Sequence, residues 1–256
     1  MKENNWFDPF YIQSHLNEEE SNIQKNVRDF CNNELKPTVV ERNRKNEFDQ
    51  SLYPKFGSLG VLGQTVKTHG GSGTSNLAYG LVAYEFEKID SSYRSSISVQ
   101  SSLVIHPINE FGSQEQKDKY LPQLIKGEKI GCFGLTESEA GSDPASMKTS
   151  FKKTKDGYIL NGSKNWITNA PIADIFIIWA IEENKDHKSI KGFIIEKNTE
   201  GLNTSTIENK TSLKISPTGQ IILNNVFVSS NLCLENTEGW KSVFSCLNKA
   251  RFGISW

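Results

Sequence analysis

A chain of 256 residues is long enough to bury a hydrophobic core in one large domain or two ordinary ones. Its 29 basic and 30 acidic residues leave a net charge of -1, so no overall field attracts nucleic acid or an anionic membrane. The 4 cysteines and 4 histidines are scattered without the spacings of metal ligands, which predicts buried free thiols and no metal site.

The first half of the sequence predicts helices. Asn17 can cap a helix that runs to Lys36, because apolar side chains recur at helical spacing until Pro37 interrupts them. A later helix is expected to end before Pro107, since a proline inside a helix removes a backbone hydrogen bond. The helices predicted after Pro37 cover residues 49–59, 74–90 and 91–105. Ser113 and Gln116 form a capping pattern that predicts a further short helix, which Gly127 can end.

Short β-rich runs replace the helical pattern after about residue 129. The dipeptides Asp156-Gly157 and Asn161-Gly162 are typical of hairpins and predict turns between these runs. The longest apolar run, Ile172–Ile181, is about half the ~20 residues that a membrane helix needs. It therefore predicts a buried strand and no membrane span. The predicted strands cover residues 151–153, 158–160, 175–181, 193–196 and 220–228.

The order of these elements predicts the fold class. Strands follow helices instead of alternating with them, which favours a helical domain followed by a β-barrel or compact sheet domain. The same segregation argues against a doubly wound nucleotide-binding fold. Residues 239–256 place apolar side chains at roughly helical spacing, so a further helix is predicted at the end of the sequence.

Three stretches carry candidate functional residues: YRSSISVQSS at 93–102, CFGLTESEAGSDPASM at 132–147 and NGSKNWITNA at 161–170. Arg94 lies in an apolar, serine-rich helical stretch, where a buried arginine needs an anionic partner. A substrate carboxylate would serve as that partner. The alternatives are an ion pair with Glu87, or a solvated arginine on the surface.

Together with FSCLNKAR at 244–251, these stretches resemble motifs of the acyl-CoA dehydrogenase family, in the family's order and over nearly the whole chain. Within the family, they are most similar to the branch that acts on glutaryl-CoA. The resemblance implies an α+β multidomain fold: an N-terminal helical domain at 1–128, a middle β-barrel domain at 129–236 and the first helix of an incomplete C-terminal helical domain at 237–256. It also implies FAD as cofactor and a homotetramer when the protein is complete.

The resemblance also implies which residues bind FAD. Thr136 would contact the flavin ring system, Trp166 would pack on it and Thr168 would lie near N5. The loop reads ESEAGSD where the branch reads closer to EPNSGSD, so a proline is lost. A core tryptophan and an ordinary turn are the alternatives. The implied cofactor-binding residues are Phe133, Leu135, Thr136, Gly141, Ser142, Trp166, Ile167 and Thr168.

The substrate-binding residues come from the same resemblance. Arg94 would face the distal carboxylate of the substrate, with Glu87 as its acidic neighbour. Asn248 and Arg251 would reach the pantetheine or phosphate groups of CoA, although an ordinary amphipathic helix remains the alternative for 244–251. The implied residues are Glu87, Arg94, Ser95, Ser98, Ser142, Phe244, Leu247, Asn248 and Arg251.

The implied activity is the FAD-dependent oxidative decarboxylation of glutaryl-CoA to crotonyl-CoA and CO2, with electrons passed to electron-transfer flavoprotein. The family's base is a glutamate expected beyond Trp256, and none of Glu87, Glu137 and Glu139 matches its position. No catalytic residue is therefore expected within the chain. The alternatives are a general acyl-CoA dehydrogenase for a neutral short chain, and a noncatalytic acyl-CoA-binding fragment.

Two further expectations concern the cellular location of the protein and the binding of flavin by the isolated chain. Its first ten residues show neither a secretory nor a transit signal, which predicts a cytoplasmic protein in a bacterium, or a mitochondrial matrix protein if the source is eukaryotic. The resemblance also implies that further helices complete the FAD pocket. Residues 1–256 are therefore expected to bind flavin weakly.

Overall fold

Helices make up the first half of the chain in the computed structural model, which describes residues 8, 11–185 and 189–256. The N-terminal residues that were considered for a targeting signal lie, apart from Asp8, outside the described residues. The α-helices are α1 (Glu18–Phe30), α2 (Val39–Lys45), α3 (Leu52–Ser58), α4 (Asn76–Glu87), α5 (Ser91–Ser98), α6 (His106–Phe111), α7 (Gln114–Ile125) and α8 (Trp240–Ile254). Two π-helical segments, Cys31–Leu35 and Val99–Ile105, continue α1 and α5.

The predicted start of α1 at Asn17 is confirmed. The Asn17 side chain accepts a 2.8 Å hydrogen bond from the Glu20 backbone N–H, and the Glu20 carboxylate accepts one of 3.2 Å from the Asn17 N–H. This capping box satisfies two N–H groups that the helix leaves free. Helix α2 was missed because none of its residues is buried, so its sequence carries no apolar periodicity.

The predicted helix end before Pro107 is wrong. Helix α5 passes directly into the π-helical segment Val99–Ile105, and α6 then begins at His106 with Pro107 in its first turn. A proline is tolerated in a first turn because a backbone N–H at that position has no helical acceptor to lose. The change of hydrogen-bonding pattern after the π-helical segment therefore lets the helix continue to Phe111.

Within the described residues, seven strands form one curled sheet, a half-barrel that follows the helices as predicted. Strand β5 pairs antiparallel along one edge of β4, so β1 and β2, which both run parallel to β4, must share its other edge. The sheet continues antiparallel through β3, β7 and β6. The strands are β1 (Gly131–Gly134), β2 (Ser150–Lys153), β3 (Gly157–Thr168), β4 (Ile175–Glu182), β5 (Ile190–Glu196), β6 (Leu202–Thr206) and β7 (Thr218–Ser229).

One of the two predicted hairpin turns is confirmed and the other is wrong. Asp156-Gly157 lies in the tight turn from β2 to β3, where the Thr154 N–H donates to the Gly157 carbonyl. Asn161-Gly162 instead forms a bulge inside the continuous strand β3. Gly162 has a φ of 141°, and a Cβ there would lie 2.6 Å from the Cα of Thr149. The glycine thus permits close approach of two backbones and does not reverse the chain.

Strand β4 is buried on both faces, which confirms the buried strand predicted from the longest apolar run. Ile175, Ile177 and Trp179 pack in the core shared with the helices, whereas Phe176, Ile178 and Ala180 pack inside the curled sheet. All four cysteines are buried and unpaired, as predicted. None of the helices described here has both the length and the apolar character needed to cross a membrane.

Candidate functional site

A pocket of about 160 Å³ lies where the π-helical segment Val99–Ile105, the end of β1, the end of β3 and α8 meet. It contains six of the predicted cofactor residues and one of the predicted substrate residues. Its lining is Val99, Leu103, Phe133, Leu135, Thr136, Trp166, Ile167, Thr168 and Leu247. Val99 and Leu103 were not predicted, although Val99 lies inside the YRSSISVQSS stretch. The sequence signal that could have identified them is helical spacing from the predicted substrate residue Ser95, which lies one turn before Val99.

Trp166 is not a core aromatic residue, because 58% of it is exposed. It sits at a bulge of β3 between Lys164 and Ile167, with a φ of 61°. The Asn165 side chain accepts a 3.0 Å hydrogen bond from the Trp166 N–H, and the Asn165 N–H donates to the Thr136 carbonyl at 2.9 Å. A positive φ costs a bulky residue about 1–2 kcal/mol, so the fold holds this indole outward against its backbone preference.

Two threonines flank the exposed indole in the pocket lining. Thr136 follows β1 and Thr168 ends β3, and both are partly exposed. Among residues 8, 11–185 and 189–256, neither hydroxyl has a hydrogen-bond partner. The pocket therefore presents a flat apolar surface beside two hydroxyl groups that are free to donate a hydrogen bond.

The loop between β1 and β2, residues 135–149, leaves and rejoins the same edge of β4. Gly141 and Ser142 lie on its exposed part and do not line the pocket. Glu137, in contrast, points inward and pairs with the fully buried Lys164 of β3, with 2.8 Å between Nζ and Oε1. The structure thus separates the predicted loop residues Gly141 and Ser142 from Thr136, which reaches the pocket.

The environments of this buried pair shift both pKa values. Burial lowers the pKa of the Lys164 ammonium to about 8, although the Glu137 carboxylate opposes the shift. Burial alone would raise the pKa of Glu137, but the Lys164 charge and hydrogen bonds from Thr149 and Lys148 outweigh it and leave that pKa lowered. At neutral pH the pair is therefore ionised on both sides.

A pH-dependent stability difference follows from the lowered pKa of Glu137. Its charged form stabilises the fold above the unfolded value of 4.5, and this contribution is lost as the pH falls through the lower folded value. We expect the stability gap between the unchanged protein and Glu137→Gln to narrow as the pH falls below 4.5. Urea unfolding at several pH values measures the gap. A gap that stays constant over this range would contradict the prediction.

Arg94 forms the ion pair with Glu87 that the sequence analysis gave as an alternative, and part of its guanidinium remains unpaired. Its Nε donates to Glu87 Oε2 at 2.7 Å, and Ser91 donates to the other carboxylate oxygen. Only 15% of the Arg94 side chain is exposed, yet its two terminal nitrogens meet no acceptor in the described part of the chain. Burial would raise the pKa of Glu87, but Ser91 and Arg94 lower it. A half-paired guanidinium at the end of a mostly buried side chain can accept a further anion.

The serines beside Arg94 differ in their hydrogen bonding. Ser98 is buried and accepts from the Tyr79 hydroxyl at 3.5 Å, and that hydroxyl lies 3.0 Å from Ser102. Ser95 is half-buried, and no hydrogen bond to its hydroxyl occurs within the described residues. Arg94 precedes Val99 by about 7.5 Å of helix rise, and Ser95 and Ser98 lie between them in the sequence.

Helix α8 completes one side of the pocket through Leu247. Phe244 is 40% exposed, and Asn248 and Arg251 lie on the surface, where Arg251 donates to the Asn248 side chain at 2.9 Å. Spacings of three and four residues place these side chains on one side of the helix. The polar residues predicted to contact CoA are thus accessible, although they lie outside the pocket lining.

Three carboxylates near the candidate site are engaged in ion pairs. Glu87 pairs with Arg94, Glu137 with Lys164 and the exposed Glu139 with Lys148. None of the three lines the pocket. Over the ranges that the structure describes, no three His, Cys, Asp or Glu side chains cluster as a metal site. These three carboxylates are therefore paired with cations and do not face the pocket.

Comparison with known proteins relates this geometry to one family. Residues 17–128 match the model of the acyl-CoA dehydrogenase N-terminal domain, and residues 132–226 match that of the middle domain. An acyl-CoA dehydrogenase of Bacillus subtilis is 36% identical over 244 residues, which cover 94% of this chain and 64% of that protein. The chain thus spans about 64% of the length of the curated relatives that it matches.

Two solved structures share the fold over nearly the whole chain. Glutaryl-CoA dehydrogenase from Mycobacterium smegmatis in complex with FADH2 has a TM-score of 0.93 and 40% identity, over 96% of this chain and 62% of that one. Butyryl-CoA dehydrogenase from Megasphaera elsdenii has a TM-score of 0.88 and 34% identity, over 94% of this chain and 64% of that one.

Proposed function

Because the chain belongs to the acyl-CoA dehydrogenase family, we propose that it provides the flavin-binding and acyl-binding surfaces for the FAD-dependent oxidation of glutaryl-CoA. The observation that carries the choice of substrate is Arg94, whose terminal nitrogens lack acceptors although the side chain is mostly buried. A thioester that ends in a carboxylate would supply the missing acceptor. The similarity to a glutaryl-CoA dehydrogenase supports the same choice.

The pocket residues fit one face of a flavin. An exposed indole held on a positive φ offers flat apolar contact, and the free hydroxyls of Thr136 and Thr168 offer hydrogen bonds to ring heteroatoms. When bound, FAD would supply the acceptor for the hydride that leaves the β carbon of the acyl chain. Phe133, Leu135 and Ile167 would exclude water from this face, which strengthens every polar contact made there. The crystal structure of the relative with FADH2 supports this proposal.

Substrate recognition would run along α5 towards the pocket. Arg94 would bind the distal carboxylate, while Ser95 would donate a hydrogen bond to it. Val99 and Leu103 would contact the apolar part of the acyl chain, since both line the pocket. On the other side, Leu247 would hold the thioester end, and Asn248 and Arg251 would reach the CoA moiety. Exposed loop residues Gly141 and Ser142 would close over the flavin or the substrate.

The remaining chemistry needs groups that the proposal does not assign to this chain. Removal of the proton α to the thioester needs a positioned carboxylate, and the nearby Glu87, Glu137 and Glu139 are already paired. The distal carboxylate of the oxidised acyl chain would then leave as CO2, and a proton added to the carbanion that remains would give crotonyl-CoA. Electrons would pass on to electron-transfer flavoprotein.

A neutral short-chain acyl-CoA is the second candidate substrate. Glu87 already neutralises Arg94 without any ligand, so the guanidinium does not require a substrate carboxylate for charge balance. The similarity to a butyryl-CoA dehydrogenase is consistent with this candidate. A role for Arg94 in folding alone would then replace its role in recognition.

Flavin and thioester titrations test the proposed function. Equilibrium dialysis of residues 1–256 against FAD is expected to give saturable but weak binding, because the pocket of about 160 Å³ is smaller than the roughly 300–1,000 Å³ of typical ligand sites. Glutaryl-CoA, added to the FAD-loaded protein, should perturb the visible flavin spectrum at lower concentration than butyryl-CoA does. Absence of FAD binding would overturn the proposal, and equal or better binding of butyryl-CoA would overturn its choice of substrate.

A further inference from the structure

The two segments that face the proposed flavin are joined underneath by one buried ion pair. Lys164 lies two residues before Trp166 on β3, and Glu137 directly follows Thr136 after β1. The Lys164 side chain has no exposed surface and the Glu137 side chain has 9%. Their contact therefore connects the Thr136 segment to the Trp166–Thr168 segment out of reach of solvent.

Glu137 also closes the loop that follows it. Its Oε1 accepts from the Thr149 N–H at 3.0 Å and its Oε2 from the Lys148 N–H at 2.7 Å. The backbone of Glu137 forms a bridge with Ala140, so the first turn of the loop is fixed as well. One carboxylate thus ties together both ends of residues 137–149.

Lys164 reaches this carboxylate through space that Gly134 leaves open. A Cβ at Gly134 would lie 3.1 Å from Lys164 Cγ and 2.6 Å from Ile178 Cδ1. The ammonium also donates to the Leu135 carbonyl at 3.1 Å. Lys164 therefore contacts the chain on both sides of Thr136, and the β3 bulge that presents Trp166 begins immediately after it.

A backbone hydrogen bond directly links the segment that contains Thr136 to the segment that contains Trp166. The Asn165 N–H donates to the Thr136 carbonyl at 2.9 Å, between the ion pair and the exposed indole. Buried ion pairs add little net stability compared with apolar side chains of similar volume, because desolvation offsets their attraction. Their main consequence here is geometric, because the 2.8 Å contact fixes the position of Glu137 relative to Lys164.

We propose that Lys164 and Glu137 are positioning residues that hold Thr136 and Trp166 at the separation needed to bind a flavin. This inference rests on the proposed function for the identity of the ligand. It goes beyond that function in assigning a role to two residues that do not touch the pocket. Neutral or shortened side chains at these positions should loosen the alignment even where the fold survives.

The first test compares stability with FAD affinity in Lys164→Met, in Glu137→Gln and in the double variant. Each single variant leaves one buried group unpaired and should lose stability, whereas the double variant should recover much of it. If the pair positions the segments, the double variant still binds FAD about tenfold more weakly than the unchanged protein. Recovery of FAD affinity together with stability would overturn the inference.

Two further variants separate positioning from stability. Glu137→Asp keeps the charge but shortens the side chain by one methylene, so it should weaken FAD binding while the protein stays folded. The matched control is Arg28→Met with Glu85→Gln, because this ion pair, 2.8 Å long with Glu85 buried, lies between α1 and α4. The control should leave the FAD affinity unchanged. Unaltered affinity in Glu137→Asp, or an equal loss in the control, would contradict the proposal.

Amide hydrogen exchange provides a readout that needs no flavin. In Glu137→Asp and in the double variant, the Asn165 amide should exchange about tenfold faster, while amides of β4 and β5 keep their protection. If the unchanged protein fails to bind FAD, the proposed function falls, and this exchange experiment alone decides whether the pair aligns the segments. Unchanged protection of Asn165 in both variants would then reject the inference.

Discussion

Replacing Trp166 with glycine is expected to weaken FAD binding by about tenfold to a hundredfold without unfolding the protein. Stacking of a planar ring on an aromatic side chain contributes about 1–3 kcal/mol, and this residue presents 58% of its surface. Glycine accepts a φ of 61° without strain, which offsets the packing that the indole loses. The free energy of unfolding should therefore change by less than about 1 kcal/mol.

The effect is measured by titrating the unchanged protein and Trp166→Gly with FAD and recording flavin fluorescence. Phe227→Ala is a suitable control, because Phe227 is 47% exposed on β7 and does not line the pocket. It removes a comparably exposed aromatic ring from the same sheet and should leave FAD affinity unchanged. If Trp166→Gly binds FAD as well as the unchanged protein, the indole is not a flavin-binding surface.

Arg94→Gln is expected to weaken the binding of glutaryl-CoA to the FAD-loaded protein by about a hundredfold, and that of butyryl-CoA by less than about threefold. The terminal nitrogens of Arg94 would meet only a substrate that carries a distal carboxylate. Glutamine keeps a hydrogen-bond donor for Glu87 but carries no charge. The loss should therefore appear in the discrimination between the two thioesters.

The control for this prediction is Arg251→Gln on α8. Arg251 is exposed and would contact the CoA moiety, which both thioesters share, so its loss should weaken both by a similar factor. Isothermal titration of the unchanged protein and of both variants with both thioesters gives the six affinities needed. An equal loss for glutaryl-CoA and butyryl-CoA in Arg94→Gln would favour the neutral substrate instead.

Local sequence signals predicted the features that depend on neighbouring residues. The cap at Asn17 is confirmed because its partner, Glu20, is three residues away. The ion pair of Glu87 and Arg94 was considered because the two residues are only seven positions apart, and the structure places them on the successive helices α4 and α5. The failures have a common cause as well: Pro107 and Asn161-Gly162 were interpreted by their local preferences, whereas a π-helical segment and a neighbouring backbone decide their conformation.

The site itself shows the same division. Motif resemblance identified Thr136, Trp166 and Thr168, and the structure brings all three to one pocket. The structure does not bring Gly141 and Ser142 into that pocket, because Glu137 is anchored inward while residues 141–143 stay exposed. Roles for these residues in binding FAD or substrate remain predictions that the titrations above address.

By itself, then, the sequence determined the order of helices, strands and a last helix, the helix cap and the residue types available for a flavin and an anionic acyl chain. Only the tertiary structure decided that Trp166 faces outward, that Val99 and Leu103 complete the pocket, and that Lys164 reaches Glu137. The physical reason is range. Periodicity and capping act within a few residues, whereas a bulge, a buried charge and a pocket depend on segments that are brought together only when β1, β3 and α8 have packed.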